Sequence, residues 1–579
     1  MENLEVAGSL TELADLLEIQ GANPFRVRAY RNAVRTINGL TRSLVSMIEA
    51  EEDLTELPGI GKDMSGHIRE LIETGELGRL REVLEEVPRG VVNLMKLEGV
   101  GPKKARKVWE ELDVTTVDEL ETAVQAGRVE ELGGFGKKSC EKILTSIEDF
   151  RKHIGRFLLS EVDALISPLL EHMKEAPGVE RLEVAGSYRR RRETVGDVDL
   201  LALCEGDSRG VMDHFTAFAG GSRVEASGET RGRIVLRSGL PVDLRILPGD
   251  SYGAALHYFS GSKEHNVAIR SLAVRQGLRI SEYGVFRGGE GDEGERLGGA
   301  TEEEVFDSVG LPWISPLLRE DRGEIQAAAQ GELPRILELK DIRGDLQMHS
   351  TWSDGKQSIR EMAEACIDRG YEYLALTDHS QAVTVANGLN PERVREQWQE
   401  IEEVRSSLPE IRILRSLEVD ILKDGHLDMP DEILEGLDLV LVSVHSYMGM
   451  ERTEMTERVI RAMEHPLVDV VAHPTGRILN RREPFAMDMD EVLRAASALD
   501  VAMELNANPR RLDLNDVHLM RARELGVKII VSTDAHSVHH LDFMRYGVDQ
   551  GRRGWLETMD VLNTQPLEEI DRWLGRKRG

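Results

Sequence analysis

The chain is 579 residues long, room for about four domains at roughly 150 residues each, and its 40% hydrophobic and 31% charged content is that of a globular protein with real cores. Aromatics at 4% argue against a stacking surface, three widely spaced cysteines (Cys140, Cys204, Cys366) exclude a disulfide framework or zinc ribbon, and the lack of a leader pattern or an 18-residue apolar run predicts a cytoplasmic protein with no membrane partner. The net charge of −31 argues, at face value, against nucleic acid.

That charge is uneven: −10 over residues 1–150, −1 over 151–300 and −20 over 301–579. The first 150 residues read as short amphipathic helices, such as 11–19 and 64–75, with apolar residues three and four apart. The pattern breaks three times in one way: LPGIGKDM from Leu57, LEGVGPKK from Leu97 and LGGFGKKS from Leu132. Two glycines let the backbone turn sharply and present amide N–H groups at a helix start, where a phosphate oxygen fits. One copy is as well explained by a plain helical connection; three copies point to the phosphate backbone. Gly59, Gly61, Lys62, Gly99, Gly101, Lys103, Lys104, Gly134 and Gly136 are therefore candidate DNA contacts, and the segments resemble helix-hairpin-helix motifs. Residues 24–35 place Arg26, Arg28, Arg31 and Arg35 beside Tyr30. A solvated basic face is the ordinary reading; next to the hairpins, Arg26 and Tyr30 become candidates for a DNA-end pocket.

Residues 180–247 turn β-rich. Asp197 and Asp199 lie two apart in VGDVDLLAL, on one face of a strand, and Asp243 lies in PVDLRIL, a neighbouring strand. Three converging carboxylates repel unless divalent cations lie between them, and hard oxygen ligands suit Mg²⁺ or Mn²⁺. Upstream, Gly186-Ser187 gives a tight turn able to hold a triphosphate, with Arg190 close by. These residues resemble the nucleotidyltransferase superfamily and, with YFSGSKEHN (258–266), EYGVF (282–286) and GLPWISPLLRE (310–320), the X family of DNA polymerases. The resemblance implies that Asp197 and Asp199 hold both metals and that Asp243 positions the primer hydroxyl. It implies further that Tyr258 and Phe259 police the sugar, Gly261 and Asn266 line the incoming nucleotide, and Arg270 faces the template. Relatives that remove a 5′-deoxyribose phosphate form an imine on a lysine where this chain has His67, and an imidazole cannot form it.

After residue 340, strand-like runs end in polar ligand types: YLALTDH, RILRSLEVD, LDLVLVSVH, VDVVAHP, VAMELNAN and VKIIVSTDAH. Ten of the sixteen histidines fall here. This is the signature of a (β/α) barrel, whose site lies at the C-terminal strand ends. His349, Asp354, His379, Glu418, His445, His473, Asp534 and His536 occupy those positions, and imidazole with carboxylate selects Zn²⁺, Mn²⁺ or Fe²⁺. The pattern resembles the PHP (polymerase and histidinol phosphatase) domain. That resemblance implies up to three ions: one on His349, Glu418 and Asp534, a second on Glu418, His445 and His473, a third on Asp354, His379 and His536. The family's first motif often reads HxH; here Gln347 replaces the first histidine. His426, His465, His518, His539 and His540 are expected to be structural or at the surface.

The chain thus resembles X-family DNA polymerases of bacterial or archaeal type with an attached PHP domain. The fold this implies is multidomain: an all-α helix-hairpin-helix N-terminal part, an α+β nucleotidyltransferase palm with thumb, and a distorted (β/α)₇ barrel. The expected boundaries are 1–90 (lyase-like hairpin domain), 91–155 (fingers), 156–250 (palm), 251–320 (thumb), 321–340 (linker) and 341–579 (PHP). The implied activity is short-gap filling in base-excision repair by a monomer acting on gapped or primer-template DNA and dNTPs. The barrel would add 3′–5′ exonuclease activity, with 3′-phosphatase or abasic-site cleavage also seen in the family. A PHP phosphoesterase with a vestigial polymerase core, or a DNA-end scaffold without catalysis, are the alternatives; the intact aspartate set and the retained barrel ligands weigh against both.

Overall fold

The computed structural model describes residues 3–37, 44–49, 52–75, 77–88, 90–95, 97, 99–153, 155–288 and 294–577. The chain forms two compact units, Met1–Ile154 and Gly155–Gly579.

The described part of the first unit is helical. The two predicted helices are Asn3–Gln20 and Lys62–Thr74, and their apolar stripes meet in a core that includes Leu10, Leu13, Leu17, Ile68, Val108, Leu120 and Ile143. The three glycine turns share one geometry. Ile60, Val100 and Phe135, the apolar residues between the glycines, are buried and donate their amides to the carbonyls of Leu57, Leu97 and Leu132, each at 3.1 Å.

The second unit starts with a two-stranded ribbon of β1 (Phe157–Leu158) and β3 (Thr194–Val195). The palm sheet contains β2 (Arg181–Val184), β4 (Val198–Leu203), β5 (Gly221–Ser227), β6 (Arg231–Leu236) and β7 (Pro241–Leu247), in the order β2-β4-β7-β6-β5. β4 and β7 run parallel, with Asp199 directly opposite Asp243. Helices Leu159–Lys174 and Ser208–Thr216 bury Val162, Ile166, Val211 and Phe215 against it. A thumb follows, with helices Gly249–Ser260 and Lys263–Arg275 and a small antiparallel sheet of β8 (Leu278–Ser281), β9 (Gly284–Arg287) and β10 (Glu295–Gly298).

Seven parallel strands make the C-terminal barrel: β11 (Gly344–Met348), β12 (Tyr373–Leu376), β13 (Arg412–Asp420), β14 (Leu439–Ser443), β15 (Val470–Val471), β16 (Ala502–Asn506) and β17 (Ile529–Ser532), hydrogen-bonded in chain order. A parallel bridge between Met348 and Ala535 draws the ends together, with the His349 amide donating to the Ala535 carbonyl at 2.8 Å. Inner residues such as Leu346, Tyr373, Leu414, Leu441 and Ile530 fill the barrel, and helices cover its outside, so the strands are buried on both faces.

The segment expected to be a linker is built into the fold instead. It forms the helix Glu324–Gln330; Glu324 is buried against His265 Nδ1 at 2.5 Å, and the Leu337 amide donates to the Leu556 carbonyl at 3.0 Å.

Candidate metal centres and hairpin surface

Asp199 faces inward from β4, Asp243 faces it from β7, and Asp197 stands at the exposed entrance to β4. Burial, reinforced by the charges of Asp197 and Asp243, pushes the Asp199 carboxyl up to about 6. Burial also raises Asp243, partly offset by Arg233, whose guanidinium lies 3.0 Å from Asp243 and 3.8 Å from Asp197. Clustered carboxylates held at this cost in proton affinity fit hard divalent cations. Gly186 is required next to them: its φ is +66°, and a Cβ there would lie 2.6 Å from Asp199 Oδ2.

Beside the aspartates is a cleft of about 370 Å³ lined by Arg156, Ser187, Arg190, Arg192, Lys263 and Glu320 among others. Gly261 lines it too, and has no room for a side chain, because a Cβ would meet Asn266 Oδ1 at 2.6 Å. Asn266 turns its amide onto the carbonyls of Tyr258 (2.7 Å) and Gly261 (3.3 Å). Tyr258 and Phe259 are half-buried and edge-to-face, and Arg245 lies 4.1 Å above the Phe259 ring. Arg270 is exposed on helix Lys263–Arg275.

In the first unit Gly59, Gly99 and Gly134 have φ of +75°, +83° and +96°, while Gly61 and Gly101 start their helices with no side-chain cap. The first-turn amides are thereby left for an outside acceptor. Lys62 and Lys103 are exposed. Lys104 and Lys107 tie the second hairpin to the third, reaching Ser139 Oγ (3.0 Å) and the Gly133 carbonyl (2.8 Å). Arg26 is exposed, Arg31 is paired with Asp15 and Glu18, and the Arg35 side chain lies outside the described residues. Tyr30 departs from expectation. It is 2% exposed and stacks on His67, its hydroxyl 3.3 Å from Nδ1, so its ring belongs to the core and not to a DNA-contacting face.

At the barrel's C-terminal end the eight expected residues converge. Glu418 is fully buried at the centre, within 2.8 Å of His473 Nε2, 3.3 Å of His379 Nδ1 and 3.5 Å of His349 Nε2 and His445 Nε2. Asp534 lies 3.1 Å from His349 Nε2, and Asp354 lies 3.4 Å from His536 Nε2 and 3.7 Å from His379 Nε2. Ligand atoms cluster within 4.8 Å in three groups: His349, Glu418 and Asp534; His379, Glu418 and His445; and His349, Asp354, His379 and His536. The second grouping differs from expectation: His379 takes the place of His473, which hydrogen-bonds Glu418. Buried Nδ1 atoms of His349, His379 and His473 have no hydrogen-bond partner, as expected of residues prepared for cations. Burial pushes His379 down to about 4, whereas Asp354 and Asp534 hold His536 up at about 9 despite burial. His473 and Asp534 occupy left-handed backbone, φ +28° and +53°, a conformation that accumulates at functional sites.

Family models for a helix-hairpin-helix domain match residues 1–77, for a SAM-like helix-hairpin-helix tandem 91–149, for a DNA polymerase beta thumb 255–320, and for a PHP domain 345–508. The chain is 39% identical over 578 residues to the DNA polymerase/3′-5′ exonuclease PolX of Bacillus subtilis (strain 168), covering 100% of both chains. The chain belongs to the PolX family. DNA polymerase lambda of Arabidopsis thaliana is 27% identical over 303 residues, 46% of this chain and 54% of that one. A probable phosphatase of Acetivibrio thermocellus is 30% identical over 236 residues, 38% of this chain and 90% of its own.

Within this PolX-family barrel, sequence reading missed the residues that hold the ligands. Asp420 accepts from the His445 amide (2.9 Å) and lies 3.2 Å from its Nδ1, and a second carboxylate two residues after Glu418 was the available signal. Glu504 is buried, its carboxyl pushed well up by burial and by Asp534. It accepts from Ser532 Oγ and the His473 amide, both at 2.5 Å. With its amide in the orientation that satisfies both ends, Gln347 also donates to Glu504, which engages it away from metal coordination. His540, expected at the surface or in a structural role, accepts from the His536 amide at 3.2 Å.

Proposed function

We propose that this protein fills short gaps in DNA and trims 3′ ends, using two separate metal-dependent centres. It is a family X DNA polymerase joined to a PHP exonuclease, as its full-length relationship to PolX carries. The observation that supports the polymerase reading best is the register placing Asp199 opposite Asp243 beside a cationic cleft.

At the palm, Asp197, Asp199 and Asp243 would hold Mg²⁺ or Mn²⁺, which supplies the Lewis acidity for attack of a primer 3′-hydroxyl on an α-phosphate. The chain's own residues do the rest. Ser187, Arg190, Arg192 and Lys263 hold the triphosphate electrostatically, Gly261 and Asn266 shape the nucleotide site, and Tyr258 and Phe259 bound the sugar. Asp243, restrained by Arg233, orients the hydroxyl and accepts its proton. Arg270 meets the template. The hairpins and Arg26 hold the DNA backbone through amides and a few cations.

At the barrel, His349, Asp354, His379, Glu418, His445, His473, Asp534 and His536 would hold up to three Mn²⁺, Zn²⁺ or Fe²⁺ ions, which supply the Lewis acidity for phosphodiester cleavage. Asp420 fixes the His445 ring, and Glu504 fixes His473 and Gln347. The chain acts as a monomer in base-excision repair in the cytoplasm. Among the described residues no helix is long and apolar enough to cross a membrane.

Extension and degradation of a labelled primer on gapped DNA test this. Asp197→Asn/Asp199→Asn should lose extension by roughly 10³-fold or more and keep 3′ degradation, and Asp534→Asn should do the reverse. Retained extension in the first variant defeats the palm assignment; retained degradation in the second defeats the barrel assignment.

A further inference from the structure

Arg189-Arg190-Arg191-Arg192-Glu193 reads in sequence as a basic patch, yet every one of its side chains is engaged. Arg189 forks onto Glu302 at 2.8 and 2.9 Å. Arg190 donates Nε to Glu320 at 3.0 Å and Nη1 to the Ser260 carbonyl at 2.9 Å. Arg191, at φ +55°, is held by Asp163 at 3.0 Å and Asp549 at 2.6 Å. Arg192 lies 3.6 Å from Glu320. Glu193 accepts from Arg477 at 2.5 Å and Gln550 at 2.8 Å.

Arg477, Asp549 and Gln550 belong to the barrel region, and a fourth barrel side chain completes the arrangement. Arg553 ends the helix Met544–Arg553 with its side chain 1% exposed. It donates Nη1 to the Arg190 carbonyl at 2.7 Å, lies 3.0 Å from Glu320 and donates Nη2 to Asp516 at 2.5 Å. Glu320 is thus shared by three guanidiniums, two of which line the nucleotide cleft. Arg553 also has Asp516, whereas Arg190 and Arg192 share Glu320 with it, so the two cleft guanidiniums keep a positive excess. Without Arg553, Glu320 is shared by Arg190 and Arg192 alone and neutralises them more fully, and the Arg190 carbonyl loses its anchor.

We propose that Arg553, a residue of the PHP barrel, is a positioning residue for nucleotide binding at the polymerase cleft, acting through Glu320 and the Arg190 carbonyl. The inference rests on the polymerase reading above. It makes the barrel a working part of the other centre as well as the owner of its own.

Two measurements on the full chain decide it: KM and kcat for a dNTP in gap filling, and the Kd of the dNTP for a complex with dideoxy-terminated primer, which needs no turnover. Arg553→Met, unbranched and without donors, should raise KM and Kd about tenfold with kcat within about threefold of wild type. Arg553→Lys should recover part of that loss. Asp516→Asn, which takes from Arg553 the carboxylate that holds its Nη2 and whose side chain is 12% exposed, should raise both about threefold and decides the matter if Arg553→Met does not fold. Degradation of 3′ ends at the barrel, whose ligands are not among Arg553's partners, reports that each variant is folded. A Kd within twofold of wild type in folded Arg553→Met, or in Asp516→Asn if Arg553→Met does not fold, overturns the proposal, as does a fall in kcat alone. If wild type binds the dNTP but extends nothing, the polymerase reading falls, and the variants' Kd still decides the role of Arg553.

Discussion

The two candidate metal centres are built to opposite plans. In the palm, three carboxylates gather on two adjacent interior strands of an open sheet, and the Asp197 side chain is 56% exposed. In the barrel, Glu418 is 0% exposed and surrounded by imidazoles, with a second carboxylate, Asp420, beside the His445 ring and another, Glu504, on the His473 backbone amide. All-oxygen ligands at an open cleft suit cations that arrive with a triphosphate and leave with pyrophosphate. Mixed nitrogen and oxygen ligands in a closed barrel suit resident ions. The barrel therefore stores its specificity in orientation, and the palm stores its in charge.

If orientation matters at the barrel, Asp420→Asn should be costly although Asp420 is in none of the ligand groups. We expect 3′ degradation and Mn²⁺ affinity to fall about 10- to 100-fold, with extension unchanged. Equal metal affinity in Asp420→Asn and wild type would erase the distinction between the sites.

The palm has the complementary weakness, a carboxylate charge opposed by burial and by its carboxylate neighbours. Asp199 is raised from 3.8 to about 6 in the metal-free fold. A carboxyl raised on folding stabilises the fold below its unfolded pKa, and that contribution is lost as pH rises through 6. At neutral pH the ionised group opposes folding, so Asp199→Asn should stabilise metal-free protein by about 2–3 kcal/mol, a few degrees in melting temperature. The gain should be about half as large at pH 5, and scans that show the same gain at pH 5 and pH 7.5 would refute the raised carboxyl.

A smaller effect belongs to the hairpins, which use neither plan. Gly99→Ala and Gly134→Ala place a side chain at positive φ, where nothing obstructs the Cβ and backbone strain alone opposes it. DNA affinity should drop several-fold, while wild type itself shows a shallow salt dependence, a log–log slope below about 4 in magnitude, because amides release no counterions. A slope near 8 would show that lysines and arginines do the holding.

Features fixed by local chemistry were legible in the sequence. The hairpins need glycine at positive φ, and a barrel delivers its ligands at strand ends, so both left periodic traces. What failed depends on distant partners. The partners of Arg189, Arg190 and Arg191 lie 113, 130 and 358 residues away, and nothing in RRRRE announces them. Tyr30 has the amphipathic side chain of a DNA-contacting residue, and only packing against His67 decides that it turns inward. Spacing along the chain also did not show that the His379 ring reaches across to group with Glu418 and His445.

The segment 321–340, anchored at both ends, bears on how such a protein can be divided. A flexible tether would let polymerase and barrel be separated, lengthened or exchanged as independent cassettes. Here the connecting chain gives Glu324 to the thumb and Leu337 to the barrel core, and Arg553 grips the palm from the far side. A cut at that point exposes interior on both sides. Changes in either half must be compatible with the packing of the other.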